Sequence, residues 1–152
     1  MIQQPAASAA VAEVRLLGPA DAAVLTKCAE GVLDDQIDWP RTQEFLADPR
    51  HHLAAAIVDG LVVGLVSAVH YVHPDKARPE LWINEVGVAE AYRRQGLGGR
   101  LLKAVLGAGR AAGCTAAWVL TERTNGAAVA LYRGAGGIQS PVDQVMLEFE
   151  LE

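Results

Sequence analysis

The sequence predicts a single α/β domain: a mixed, mostly antiparallel sheet of six to seven strands flanked by about four helices. Three observations carry that prediction. Asp59-Gly60 joins two apolar runs and is a two-residue hairpin signal, so the middle of the sheet is antiparallel. A further apolar run, Leu81 to Val88, passes through a glycine-bearing turn into a segment with apolar residues every three or four positions, the pattern of a strand feeding a helix. A chain of 152 residues, half of them apolar, is long enough to bury one core without disulfides or metal.

The elements follow in order. Met1 to Val11 is Ala-rich, with neither a basic start nor an apolar block, and reads as a frayed tail; the domain occupies 12–152. Glu13 to Leu17 alternates as a first strand, and Gly18-Pro19 opens a helix expected to reach Glu30. An irregular acidic stretch with Asp34, Asp35 and Asp38 leads to a short helix at Arg41 to Ala47. Leu53 to Val58 and Leu61 to Val72 are the hairpin strands, the second apolar enough to be covered on both faces. Leu81 to Val88 is the next strand. Leu97, Leu101, Val105 and Ala108 mark one face of the following helix, which Gly113 ends. Cys114 to Thr121 is a strand, Asn125 caps a helix through Tyr132, and Gly136-Gly137 closes it. Val145 to Leu151 alternates apolar residues with Glu148 and Glu150 and reads as a last strand.

Composition narrows the function. The net charge of −5 disfavours nucleic acid as a partner, and no run is long enough to span a membrane. Cys28 and Cys114 stand far apart outside any ligand motif, and the four histidines lack metal-site spacing, so neither a disulfide framework nor a metal is expected. A reduced, cytoplasmic setting fits.

Arg93-Arg94-Gln95-Gly96-Leu97-Gly98, with Gly99 and Arg100 beyond it, concentrates positive charge and glycine at a helix start, where free N–H groups favour an anion. It has neither a Gly-Lys-Ser/Thr ending nor Gly-x-Gly-x-x-Gly spacing, so it is not a Walker or dinucleotide loop. Together with Gly87-Val88-Ala89 before it, and Asn125-x-x-Ala128-x-x-Leu131-Tyr132-x-x-x-Gly136 after it, the stretch resembles the two signatures of the GNAT superfamily of N-acetyltransferases.

That resemblance implies acetyl-coenzyme A as cosubstrate, its pyrophosphate on the turn from Arg93 to Gly99 and its pantetheine arm beside Val86, Gly87 and Val88. Asn125 and Ala128 belong to the same binding set. Tyr132 matches the family's proton donor to the departing thiolate; an amphipathic-helix core aromatic is the other reading. Glu85, a carboxylate in an otherwise apolar strand, suits a base or an anchor for the substrate ammonium, or pairs with a neighbouring arginine. His70 or Tyr71, near the end of the adjacent strand, are placed to line an acceptor cleft.

Tyr71 to Lys76, Pro79 to Glu85, Ala127 to Tyr132 and Val145 to Glu150 are similar to the GNAT-type aminoglycoside 3-N-acetyltransferases. The acceptor so implied is a polycationic amino sugar, drawn by Asp34, Asp35, Asp38, Asp143, Glu148 and Glu150; the C-terminal glutamates equally suit an edge strand kept charged against aggregation. Gly137 departs from the phenylalanine many relatives carry. Other amine acceptors (a polyamine, a small amine, a protein N-terminus) and a non-catalytic acetyl-coenzyme A-binding module stay open. A homodimer through the apolar face of the last strand is compatible with the family.

Overall fold

The computed structural model describes residues 12–140 and 143–152; the tail expected over 1–11 lies outside them. A five-stranded sheet runs in the order β1 (Glu13–Leu16), β2 (His51–Val58), β3 (Leu61–Tyr71), β4 (Glu80–Val88), β5 (Ala116–Val119). The first four strands are antiparallel to their neighbours, and β5 joins β4 in parallel. Helix α1 (Trp39–Ala47) lies toward one face, α2 (Leu97–Ala111) covers the other, and α3 (Gly126–Gly134) contacts α2.

Local chemistry accounts for most of these elements. Asp59 and Gly60 both take positive φ, 49° and 78°, the backbone that a tight two-residue hairpin requires. Asp38 caps α1, its carboxylate accepting from the Arg41 N–H at 3.0 Å, with Pro40 in the first turn. Gly113, at φ 92°, ends α2 as expected. The core forms between α2 and the sheet: Leu97, Leu101, Leu102 and Val105 of α2 are buried, as are Val62, Val63, Val66 and Leu81 of the strands. Val62 to Val66 is buried without a break, so β3 is covered on both faces.

Three expectations need correction. Five strands and three α-helices stand among the described residues, against six to seven and about four. The helix expected from Pro19 to Glu30 is only a 3₁₀ turn, Ala22–Thr26. Tertiary pairing stops it: the Ala29 N–H donates to Val62 O and the Val62 N–H to Lys27 O, both at 2.8 Å, so residues 27–29 are drawn out beside the start of β3. The third concerns Val145 to Leu151, which is not a strand. Its alternation is real, but it has no ladder partner among the described residues, and Val145, Met146, Leu147, Phe149 and Leu151 are all exposed.

Leu101 carries much of the α2 packing, with its side chain against the backbone of Gly64. Leu101→Ala is expected to lower the free energy of unfolding by about 2–5 kcal/mol, read as a shifted midpoint in urea.

Candidate active site

Strand β4 is held differently along its two edges. β3 pairs it from Glu80 to Val88, whereas β5 pairs it only over Glu80 to Ile83. From Asn84 to Val88 the β5 side is unpaired among the described residues, since β5 ends at Val119, the partner of Ile83.

A bulge decides which side chain lies on the face away from α2. Ala68 pairs with Ile83 and Ser67 with Glu85, leaving Asn84 as the extra residue. Leu81 faces α2, where its side chain lies against Gly109. In a regular strand Glu85 would share that face. Past the bulge the alternation is reversed: Val88 pairs with Gly64, whose absent side chain would meet Leu101 of α2. Glu85 and Gly87 therefore lie on the opposite face, with Trp82. Gly87 confirms the assignment, since a Cβ there would stand 2.1 Å from the Val32 carbonyl oxygen. The segment that leads into Asp34 and Asp35 thus crosses β4 next to Glu85. Glu85 is exposed, although its strand is otherwise largely apolar.

The turn after β4 is shaped for an anion. Ala89 is followed by a 3₁₀ turn (Glu90–Tyr92); Arg94 at φ 59° and Gly96 at φ 82° then bring the backbone into α2 without a side-chain cap. Positive-φ residues alternating with ordinary ones turn successive N–H groups to a common side, and the first-turn donors of α2 add to them. A phosphate fits this geometry. Arg93 is tethered, its Nε donating to the Val88 carbonyl at 2.9 Å, and Gln95 donates to Ala91 O at 3.2 Å. Arg100, expected in the same set, donates instead to Ala12 O at 2.7 Å, by the start of β1. A cleft of about 600 Å³ adjoins the turn, lined by Ala29, Gly31, Ala89, Tyr92, Arg93 and the acidic Glu30 and Glu90.

Helix α3 is brought to this turn by another glycine. A Cβ on Gly98 would come within 3.0 Å of the Leu131 side chain, so the first turn of α2 lies close against α3. The Asn125 side chain caps α3 by accepting from the Ala128 N–H at 3.1 Å. Tyr132, one residue past Leu131, is half-buried, and burial pushes its phenol up from its ordinary pKa, which keeps the hydroxyl protonated. Gly137 is required where it stands, because a Cβ would lie 2.8 Å from Tyr132 O.

The acidic candidates do not converge. Asp34 and Asp35 are exposed on the segment over β4, while Asp38 is occupied in capping α1. Asp143, Glu148 and Glu150 lie exposed on the unpaired C-terminal segment. His70 meets His52, Nδ1 to Nε2 at 2.8 Å. Among the described residues no group of three or more metal-binding side chains is assembled.

Sequence reasoning passed over a polar and aromatic cluster. Trp82 and Trp118, register partners across β4 and β5, stack with centroids 5.3 Å apart and an interplanar angle of 10°. Trp118 Nε1 donates to the Tyr71 hydroxyl at 2.5 Å, and Tyr71 donates to Glu80 Oε2 at 3.0 Å. Lys76 and His73 reach the same carboxylate at 3.0 and 3.3 Å. Their bonds, Lys76 foremost, hold Glu80 down to about 2. Only the sequence positions of these residues were visible beforehand; nothing in the spacing joins Trp118 to Tyr71.

Comparison with known proteins is consistent with this geometry. The profile of the acetyltransferase (GNAT) family matches residues 23–136. No match was found among curated proteins. Among solved structures, an aminoglycoside acetyltransferase from an uncultured soil metagenomic sample, in complex with sisomicin, is 16% identical with a TM-score of 0.74, covering 91% of this chain and 97% of that one. An aminoglycoside N-acetyltransferase in complex with CoA is 17% identical at a TM-score of 0.75, over 92% and 95%. A ribosomal-protein-alanine N-acetyltransferase from Brucella melitensis biovar Abortus 2308 is 17% identical at 0.69, over 91% and 100%. At such identities the likeness is one of fold.

The depressed Glu80 implies a pH dependence of stability. Its bonds contribute fully above the ordinary carboxylate value of 4.5 and are lost as pH falls toward about 2. The difference in Tm between the wild type and Glu80→Gln is expected to narrow across that window; a constant difference would refute the assignment.

Proposed function

The chain belongs to the acetyltransferase (GNAT) family and is an acetyl-CoA-dependent N-acetyltransferase; from that premise we propose that it acetylates an aminoglycoside, at the 3-amino group, with Glu85 as base and Tyr132 as acid. One observation carries the reading. The bulge at Asn84 turns Glu85 away from α2, in the part of β4 whose β5 edge is unpaired and beside the turn shaped for phosphate.

Acetyl-CoA supplies an acetyl thioester. Backbone N–H groups of Leu97, Gly98 and Gly99, with Arg94 and the dipole of α2, would hold its pyrophosphate, and the unpaired edge at Val86 to Val88 would hold the pantetheine arm. Glu85 accepts the ammonium proton, directly or through water, leaving a neutral amine to form the new C–N bond. As the C–S bond breaks, Tyr132 donates its proton to the sulfur; the second proton lost by the amine restores the phenol, and Glu85 returns its own to solvent. The burial that keeps Tyr132 protonated suits this role.

Asp34 and Asp35, exposed beyond the crossing at Gly87, supply negative potential for a polycationic acceptor. Asp143, Glu148 and Glu150 serve the same field from the C-terminal segment. The neighbouring structures that act on aminoglycosides support this acceptor class through shared fold. The exposed apolar residues of the C-terminal segment support self-association as a homodimer. The setting proposed is cytoplasmic; no described helix is long and apolar enough to cross a membrane.

Release of coenzyme A with gentamicin, spermidine and a peptide panel tests the acceptor; donor binding without turnover of any aminoglycoside would refute it. Glu85→Gln is expected to lower turnover by roughly 10²-fold or more, most severely at low pH. An unchanged pH–rate profile removes the base. Tyr132→Phe is expected to slow turnover with little change in the KM for acetyl-CoA.

A further inference from the structure

We propose that Trp82 and Trp118 form a stacking platform for a sugar ring of the acceptor, with Tyr71 as the residue that holds Trp118 in place. The inference deepens the proposed acceptor and rests on reading the face that carries Glu85 as the acceptor side.

Trp118 lies on the terminal strand of the described sheet and remains 38% exposed. An indole so placed would ordinarily move among rotamers. Here one ring face stacks on Trp82 and its Nε1 is bound to Tyr71. Tyr71 is bound in turn to Glu80, itself held by Lys76 and His73. An exposed aromatic held by such a chain loses little further freedom when a ligand covers it, so the stacking energy is retained as affinity.

Position agrees with this use. Trp82 shares the face of β4 that carries Glu85, about 7–10 Å along the strand at ordinary strand rise. A ring resting on the indoles therefore leaves the amine of an adjoining ring within reach of Glu85. Charge agrees as well. Glu80 is neutralised by Lys76, so the platform itself is nearly neutral, suited to the C–H face of a pyranose. Unneutralised carboxylate charge lies farther along, at Glu85 and on the Asp34–Asp35 segment. A linear polyamine has no ring for the indoles to receive, which makes the platform selective among amines.

The test uses the full chain, with gentamicin as the ring acceptor and spermidine as the acyclic one. Trp118→Leu is expected to raise the KM for gentamicin about three- to tenfold, the KM for spermidine and for acetyl-CoA staying within twofold. Trp118→Phe should restore most of the loss, and Tyr71→Phe should give part of it. Wild-type tryptophan emission should shift saturably with gentamicin, and more weakly in Trp118→Leu. If gentamicin is acetylated but Trp118→Leu leaves its KM unchanged, the platform is overturned and the aminoglycoside reading stands. If gentamicin is not acetylated yet still shifts the emission through Trp118, the acceptor reading falls and the platform stands. If Trp118→Leu does not fold, the wild-type titration and Trp118→Phe decide, and absence of a saturable shift overturns the platform.

Discussion

Unequal pairing along β4 is the constraint on which the site depends. β3 satisfies one edge of the strand throughout, while β5 satisfies the other only as far as Ile83. Backbone groups beyond that point seek partners outside the sheet, and an extended amide-bearing ligand can provide them. The bulge at Asn84 falls where the pairing to β5 ends. It changes the strand from one that buries Leu81 and Ile83 against α2 to one that presents Glu85 on the opposite face, without interrupting the pairing to β3. Chemistry and core are thereby served by the same short strand.

Glycines then shape the strand and the turn that follows it. Gly87 admits the Val32 backbone, bringing the Asp34–Asp35 segment over β4. Gly98 admits Leu131, bringing α3 and Tyr132 to the start of α2. Gly96 takes the positive φ that turns backbone donors toward a common point. The first two are required by close approach and the third by backbone geometry. A side chain at any of them would move a part of the site rather than merely loosen the fold.

Carboxylates in this protein divide by partner. Glu80 is bound by Lys76, Tyr71 and His73 and works as a structural anchor for Trp118. Asp38 caps a helix, and Asp48 is tied to Arg50. Glu85, Asp34 and Asp35 are exposed and make none of these bonds. A surplus of negative charge is thus sorted into groups that hold the scaffold and groups that can act on a cationic ligand.

What the sequence determined by itself were the features that depend on neighbours along the chain. The Asp59-Gly60 hairpin, the Asn125 cap, the apolar face of α2 and the glycine turn at its start all follow from local dihedral preference and periodicity, which tertiary context left in place. Where distant groups competed, the sequence was silent or misleading. The first helix yields to pairing of Ala29 with Val62, and the alternating Val145 to Leu151 is not a strand because no edge among the described residues pairs with it. The bulge that aims Glu85 is a register property of two strands, and the bond from Trp118 to Tyr71 joins residues 47 apart. Candidate residues were legible because they sit within motifs; that Glu85 and Trp82 share one face of β4 was decided only when the sheet assembled, since register arises from pairing between segments and is encoded in neither segment alone.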